Sequence, residues 1–376
     1  MEPPQIIGSP DPNFDEVERE TGLQRESSLG PETPRSVDFN DLIQELGKEV
    51  AKMDVKDPEL LRATLASSAL SCFGQVLHKK FHGDMYPASF QTEDIDCFWS
   101  HSWHGLAWEK ILLLMLLYNG RVSLVVGNLA AMLGMALFFA GLLPAYPRTF
   151  SIEGATYDFG PWGLTFGCIA TLSALVLGRP GSKVFVDRIC IHQSDEMKKS
   201  MGVLSIGGII KHSKTMLVLW DPSYSTRLWT TFELAAFLKS HGESGLIVRP
   251  TFLATASVAV SLFGLLMNLC NVVVSIENAT AALLTIAGLM LMILVIGGAG
   301  LRKYFRWVDQ CSLQLADFSM AAAKAHCCTI NHVDEFGVRT LCDREVIAEC
   351  VCSWFGSVKE FEESVTLFFL AHVWLS

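Results

Sequence analysis

Four long stretches of the chain carry no charged residue, and they organise everything between them. They run over 122–143, 160–178, 252–276 and 279–298. About 20 residues rising 1.5 Å each cross a hydrocarbon core, so each stretch has the length expected of a membrane-spanning helix. Pro144 and Pro147 close the first stretch, and a short loop leads to the second. Only Glu277 and Asn278 part the third from the fourth, which predicts a tight turn. The pattern gives two transmembrane hairpins, 121–178 and 251–300.

Outside these stretches the apolar positions recur with the periods of soluble elements. Leu42, Ile43, Leu46 and Val50 keep helical spacing from near Asp38. A second helix is expected over 58–80, with Asp57 as its cap and Pro58 in its first turn. Residues 37–92 thus read as a helical preface. A short buried strand follows over 95–100, then a helix over 105–119 that Asn119-Gly120 should end. Beyond the first hairpin come a strand at 183–186, a helix at 195–212, a strand at 215–220, a helix at 227–241 and a strand at 246–248. Apolar runs alternating with helices imply a parallel sheet covered on both faces. The expected fold class is α/β, a parallel flavodoxin-like sheet split between 93–120 and 179–250, plus four transmembrane helices in two hairpins.

Composition agrees. Half of the residues are hydrophobic and 18% are charged, against about 25% charged in a typical soluble domain. The net charge of −10 comes without a dense basic cluster, so nucleic acid is not an expected partner. Residues 1–36 are acidic and proline-rich and read as a disordered tail without a signal peptide. The cysteine count of 11 is odd, and Cys168 and Cys270 fall inside spans, which favours free thiols over a disulfide scaffold. Lys110, Arg121, Arg179, Lys183, Arg249, Arg302 and Lys303 flank the spans on the side of the termini, whereas the hairpin tips hold only Arg148. By the positive-inside rule both termini and the α/β domain are cytosolic, on a multi-pass membrane protein whose first partner is lipid.

Small residues form stripes suited to close helix packing: Gly127, Gly134 and Gly141, then Gly163 and Gly167. No span holds Asp, Glu, Lys, Arg or His, which argues against a pump or transporter. Gly264, Asn268, Asn271 and Ser275 share a face of the third span, either as a polar pathway or as interhelical hydrogen-bonding glue. Asn278-Ala-Thr280 matches a glycosylation sequon on a tip too short to present it clear of the membrane. The cytosolic region 301–376 is read as helical, with Trp307, Arg302, Lys303 and Arg306 as an interfacial anchor and 365–375 as a core helix or strand. It also holds His326, Cys327, Cys328, His332, Cys342, Cys350 and Cys352. These lack a C-x-x-C pair and are read as buried thiols, with no metal ligand assigned.

Ligands of open α/β sheets bind beyond the carboxyl ends of the strands. That rim would carry Ser100, His101, Ser102 and Trp103, with Asp187 and residues 220–223 near it. Asp96-Cys-Phe-Trp-Ser-His-Ser102 resembles the opening strand motif of TIR (Toll/interleukin-1 receptor-like) domains. Met216-Leu-Val-Leu-Trp220, Tyr224-Ser-Thr-Arg-Leu-Trp229 and Phe232-Glu-Leu234 resemble the TIR strand, serine-rich loop and Trp-x-x-x-Glu-Leu helix. Val186-Asp-Arg-Ile-Cys-Ile-His-Gln193 is similar to a run in heterokaryon-incompatibility domains. The resemblance covers roughly 94–250, with a membrane hairpin where a TIR domain has an ordinary connection.

Some TIR domains cleave the nicotinamide–ribose bond of NAD with a glutamate of the serine-loop helix. The resemblance places that role on Glu233, with Ser100, His101, Trp103 and Asp187 as candidates for nucleotide contact and NAD as substrate rather than resident cofactor. A carboxylate can stabilise the positive charge that builds on the ribose, and nicotinamide leaves neutral. Glu233 otherwise caps or pairs on its helix, for example with Arg227. His101 and His104 form either a catalytic or metal-binding pair or buried structural imidazoles. The chain has no GxGxxG and no Walker loop. The functional expectation is a membrane-anchored TIR-like signalling protein that hydrolyses NAD. The alternatives are a non-catalytic scaffold self-associating through the α/β domain, and a small channel.

Overall fold

The computed structural model describes residues 39–149, 156–255, 258, 261–266, 279–316, 318–333 and 337–372. The expected disordered tail, Asn268, Asn271, Ser275 and the sequon asparagine lie outside these residues.

Helix α1 (Phe39–Ala51) forms where the apolar spacing places it. The expected helix over 58–80 does not form. Asp57 Oδ1 accepts from the Glu59 amide at 2.8 Å and caps only a single 3-10 turn. The chain then extends as β1 (Arg62–Leu65), and β2 (Phe90–Gln91) pairs with it. Tertiary pairing overrides local helix propensity here. Ala63, Thr64 and Ala66 are fully buried, and the Thr64 hydroxyl donates to the Ala88 carbonyl at 3.0 Å. Positive φ at Cys72 and Phe73 finally breaks the helical path.

The sheet continues through β3 (Ile95–His101), β6 (Lys183–Phe185), β7 (Ser213–Trp220) and β8 (Leu246–Pro250). Its six strands lie in the order β2-β1-β6-β3-β7-β8. The protein is therefore mixed α/β. Four neighbouring strands are parallel, but β1 runs antiparallel to β6 and to β2, so the expectation of a wholly parallel sheet is corrected at one edge. Numbered among themselves, the parallel strands stand in the order 2-1-3-4. The winding reverses between β3 and β7, which makes their carboxyl ends the switch point.

Successive residues of β3 face opposite sides of the sheet. Phe98 stacks on Phe185 at 4.8 Å on the face that also holds Ser100. On the other face the Trp99 indole donates to Tyr118 Oη at 2.9 Å and so docks α2 (Ala107–Phe139). The crossover to β7 is made by α4 (Glu196–Leu204) and α5 (Ile206–Lys211), and α6 (Leu228–His241) packs against α5 and β3.

Helix α2 does not end at Asn119-Gly120. It runs unbroken for 33 residues, from the sheet into the first apolar stretch. Asn119 serves another helix, α3 (Trp162–Leu177), as its side-chain amide donates to Leu175 O at 2.9 Å and Gly178 O at 3.3 Å. It thereby satisfies carbonyls that a helix end leaves unpaired. Among the described residues α2 alone is long and apolar enough to cross a membrane. The 16 residues of α3 reach about 24 Å, short of a hydrocarbon core. A ladder of β4 (Tyr146–Thr149) with β5 (Thr156–Phe159) closes the tip of the α2–α3 hairpin.

The small residues pack α2 against α3 as the stripes suggest, with one correction. A Cβ on Gly127 would meet Thr171 Oγ1 at 1.8 Å, and one on Gly134 would meet the Trp162 carbonyl at 2.8 Å. Gly141 touches nothing. It adopts φ 73°, and the Leu142 amide bonds back to Leu137 O at 3.0 Å, a Schellman stop for α2.

Helix α7 (Ala279–Ala316) is one element of 38 residues, so the fourth apolar stretch and the basic segment after it are not separate helices. Trp307 is not an interfacial anchor. It is buried against Phe252, with ring centres 5.0 Å apart, because α7 folds back onto the α/β domain. Helices α8 (Asp343–Phe355) and α9 (Val358–His372) complete the described chain. Cys350 Sγ and Trp354 Nε1 donate to the Gly47 and Ala51 carbonyls at 3.1 and 2.9 Å, which fastens α8 to α1.

The hairpin contact gives a direct test. Gly127→Leu should lower stability by about 1–3 kcal/mol through overpacking, while Gly181→Leu, which enters open space, should leave it unchanged. Thermal unfolding of detergent-purified protein reads the difference, and equal midpoints for the two variants would count against the packing described.

Candidate functional site

The carboxyl ends of β3, β6 and β7 meet at the switch point, and α6 supplies a carboxyl beside them. Ser100, near the end of β3, is fully buried, and its hydroxyl donates to Glu233 Oε2 at 2.5 Å. The Ser100 and Tyr224 hydroxyl oxygens lie 2.7 Å apart. With the Ser100 proton directed at Glu233, Tyr224 is the donor to Ser100. At the start of α6 the Thr230 hydroxyl donates to the Tyr224 carbonyl at 2.6 Å and the Thr231 hydroxyl to the Arg227 carbonyl at 3.0 Å, which joins the helix to the turn before it. One turn further on, Glu233 faces the sheet.

Burial pushes the Glu233 carboxyl up to about 8 from its ordinary 4.5; the Asp187 charge adds to the rise and the Ser100 hydroxyl opposes it. The residue nevertheless keeps partial solvent exposure. Its carboxyl is engaged by Ser100, across the sheet edge, rather than by Arg227 on its own helix.

Asp187 follows β6. Its Oδ2 accepts from Trp103 Nε1 at 3.0 Å and its Oδ1 from the Arg188 amide at 2.7 Å. The Arg188 guanidinium lies 4.0 Å from the centre of the Trp103 ring, an arrangement that holds the indole flat against a cation. His101 meets the other side of this group, its ring centre 4.5 Å from that of Trp103 in an edge contact. Burial and the Lys110 charge pull the His101 imidazole below its usual range, so it is neutral at pH 7. Its buried Nε2 has no hydrogen-bond partner among the described residues. His104 is likewise lowered, by burial and then by Arg227.

Ser100, His101, Trp103, Asp187 and Glu233, separated by up to 133 positions in the chain, therefore converge on one rim. Of these residues Ser100 touches Glu233 directly, while His101 and Trp103 gather about Asp187. The three described cavities lie elsewhere; none is lined by Glu233, His101 or Trp103.

The sequence places Ser102 and residues 220–223 on or near this rim, but it does not single out Lys110, Gly105 or Glu109 for it. Lys110, readable only as a span-flanking charge, is 1% exposed and lies 3.5 Å from buried Asp221. Its ammonium also donates to the Ser102 carbonyl. The Ser223 hydroxyl donates to Asp221 Oδ1 and lies 2.8 Å from the Ser102 hydroxyl, which donates to it and ties the loop after β3 to the loop after β7. Gly105 permits this closure, since a Cβ there would lie 2.0 Å from Asp221 Oδ2. The neighbouring Glu109 accepts from Lys303 of α7 at 2.8 Å and from Thr251 at 3.2 Å. Compared with protein-family models, with curated proteins and with solved structures, the chain matches none.

The raised Glu233 carboxyl has a stability signature with a definite sign. Its folded pKa of about 8 exceeds the ordinary 4.5, so the folded state holds the extra proton between these values. Stability should fall as pH rises from about 5 to 8, by an amount on the order of a few kcal/mol. Glu233→Gln should remove that slope and unfold at a higher temperature than the unsubstituted protein at pH 8, with little difference at pH 5. Parallel melting curves across this range would refute the burial described.

Proposed function

We propose that this chain is a membrane-anchored, TIR-like signalling protein whose α/β domain hydrolyses the nicotinamide–ribose bond of NAD, with Glu233 as the catalytic carboxyl. The single observation that carries this reading is the placement of a buried, proton-holding carboxyl against Ser100 at the switch point of a 2-1-3-4 parallel sheet. Nucleotides bind at such points in doubly wound folds. Trp103, fixed by Asp187 and Arg188, offers an aromatic edge, and the unpartnered Nε2 of His101 offers a polar contact to a ribose hydroxyl.

The chemistry follows from charge. Nicotinamide in NAD is cationic and leaves neutral, so the positive charge moves onto the ribose in the transition state. Water then attacks the ribose C1′, giving ADP-ribose and a proton. A carboxylate next to that carbon stabilises the developing cation. A carboxyl protonated in the empty site gives up its proton most readily when a cation arrives beside it, which couples ionisation to substrate entry.

The membrane part of the proposal is multi-pass, with four spans in two hairpins and the α/β domain and both termini in the cytosol. Its support is the unbroken run of α2 into its exposed apolar half and the uncharged first part of α7, where Leu284, Met290, Leu291, Leu294, Val295 and Ile296 are exposed. Ser261 and Gly264 of the third stretch border a groove with α2 and α3.

Purified protein supplied with NAD should release nicotinamide, and Glu233→Gln should lower kcat by 100-fold or more, as expected when a group acts on transition-state charge. In the unsubstituted protein kcat/KM should rise with pH through about 8, where Glu233 ionises. Equal rates for the two proteins would end the catalytic assignment and leave the domain as a self-associating interaction module. Topology is tested separately: protease added to sealed vesicles with the cytosolic face outward should digest the α/β domain, and its full protection would overturn the orientation.

A further inference from the structure

Three cysteines and a histidine, none of which serves the NAD site, are gathered beside the amino end of α8. The side-chain ligand atoms of Cys327, Cys328, His332 and Cys342 all lie within 4.8 Å of one another. Cys328 Sγ is 3.9 Å from Cys327 Sγ and 4.0 Å from Cys342 Sγ. These are not disulfide distances, and every described cysteine is free. They match the edge of a tetrahedron of thiolates about a zinc ion, roughly 3.8 Å for zinc–sulfur bonds of about 2.3 Å. The other members of the cysteine-rich run stay out: Cys350 Sγ is committed to Gly47 O, and His326 and Cys352 are not in the group.

The histidine supplies an independent sign. His332 Nδ1 is buried without a hydrogen-bond partner among the described residues, a costly state for a ring nitrogen unless something occupies it. The chain goes to some length to hold this ring in place. Asn331 and His332 both adopt positive φ, at 54° and 57°. The His332 amide bonds Cys327 O at 2.8 Å, and the Thr340 amide returns to His332 O at 2.9 Å. Strained backbone of this kind persists where the surroundings require it. A three-thiolate, one-imidazole zinc centre carries one net negative charge, which the amino end of the 13-residue helix α8 suits.

We propose that Cys327, Cys328, His332 and Cys342 form a structural zinc site that clips the C-terminal segment to the helix bearing Glu233. Four protein ligands close a tetrahedron and leave no position for substrate, so the role is structural rather than catalytic. The location says what is clipped. Just before the cluster, the Lys324 amide donates to Thr226 O at 2.7 Å, and the Leu228 amide at the start of α6 donates to Lys324 O at 3.2 Å. Just after it, Asp343 Oδ2 lies 3.4 Å from the Trp229 indole nitrogen of α6. The ion would join these two anchor points across a loop whose described residues at 328–333 and 337–339 are half-buried or exposed.

The test uses the full chain, purified in detergent under reducing conditions, with metal content read by mass spectrometry before and after incubation with zinc chloride. The expected content is about one zinc per chain, falling below roughly a tenth in Cys342→Ser and in His332→Ala and staying near one in Cys352→Ser. Chelation of the unsubstituted protein should lower its melting temperature by several degrees, reversed by zinc chloride, because a structural ion is linked to folding. It should also speed alkylation of Cys328 at least tenfold while leaving Cys72 unchanged, a readout that needs no variant to fold. Absence of bound zinc in the unsubstituted protein after incubation would overturn the site. So would zinc retained in both ligand variants, or chelation without effect on melting and on Cys328 alkylation.

Discussion

The buried ion pair of Lys110 with Asp221 is the contact on which the rim depends. Burying two charges costs several kcal/mol per ion and is tolerated only where the partners neutralise and hydrogen-bond each other. Here the ammonium lies 3.5 Å from Asp221 Oδ2 and hydrogen-bonds the Ser102 carbonyl, while Asp221 Oδ1 accepts from Ser223. The loops after β3 and β7 therefore close on a residue of α2. The next side chain back, Glu109, takes Lys303 of α7. Two adjacent residues thus join the sheet, the long apolar-leading helix and the site, and removing either member of the inner pair would strand the other in a medium that cannot solvate it.

On the far side of the sheet the same economy of contacts holds α6. Ser100 meets it through Glu233, Thr226 and Leu228 meet the C-terminal segment through Lys324, and Trp229 meets Asp343. The helix bearing the candidate carboxyl is positioned from both ends of the chain. Helix α1 adds to this by packing on α8, where Gly47 comes so close to Glu349 that a Cβ would lie 2.7 Å from it.

Much of this was legible in the sequence, for physical reasons that differ by element. The strands at 95–101, 183–185 and 213–220 are buried on both faces, and continuous apolar runs announce that. The rim residues Ser100, His101, Trp103 and Asp187 followed from the rule that such strands present their carboxyl ends to ligands, and Glu233 followed from a motif resemblance. The strand at 62–65 was hidden, because RATL has ordinary helical composition and its extended form is imposed by pairing with β2 and β6. Asn119 was misread for a related reason: its amide caps α3, 56 positions away, and nothing in the local sequence marks so distant a partner. The cysteine cluster was visible in the sequence but read as buried thiols, because it combines a vicinal pair with a chain reversal rather than one short knuckle. Lys110 escaped because a lone lysine beside an apolar stretch looks like a flank.

The unbroken α2 fixes a phase relation. Each residue of an α-helix advances about 100° around its axis, so the side that meets the sheet through Tyr118 and the side that meets α3 through Gly127 and Gly134 are set at one angle for the whole rod. Inserting a single residue between Tyr118 and Gly127 would swing the glycine stripe away from its neighbour by more than a quarter turn. The α/β body and the apolar hairpin are consequently geared together: torsion applied at one end of α2 arrives at the Lys110 end as rotation rather than being absorbed by a hinge.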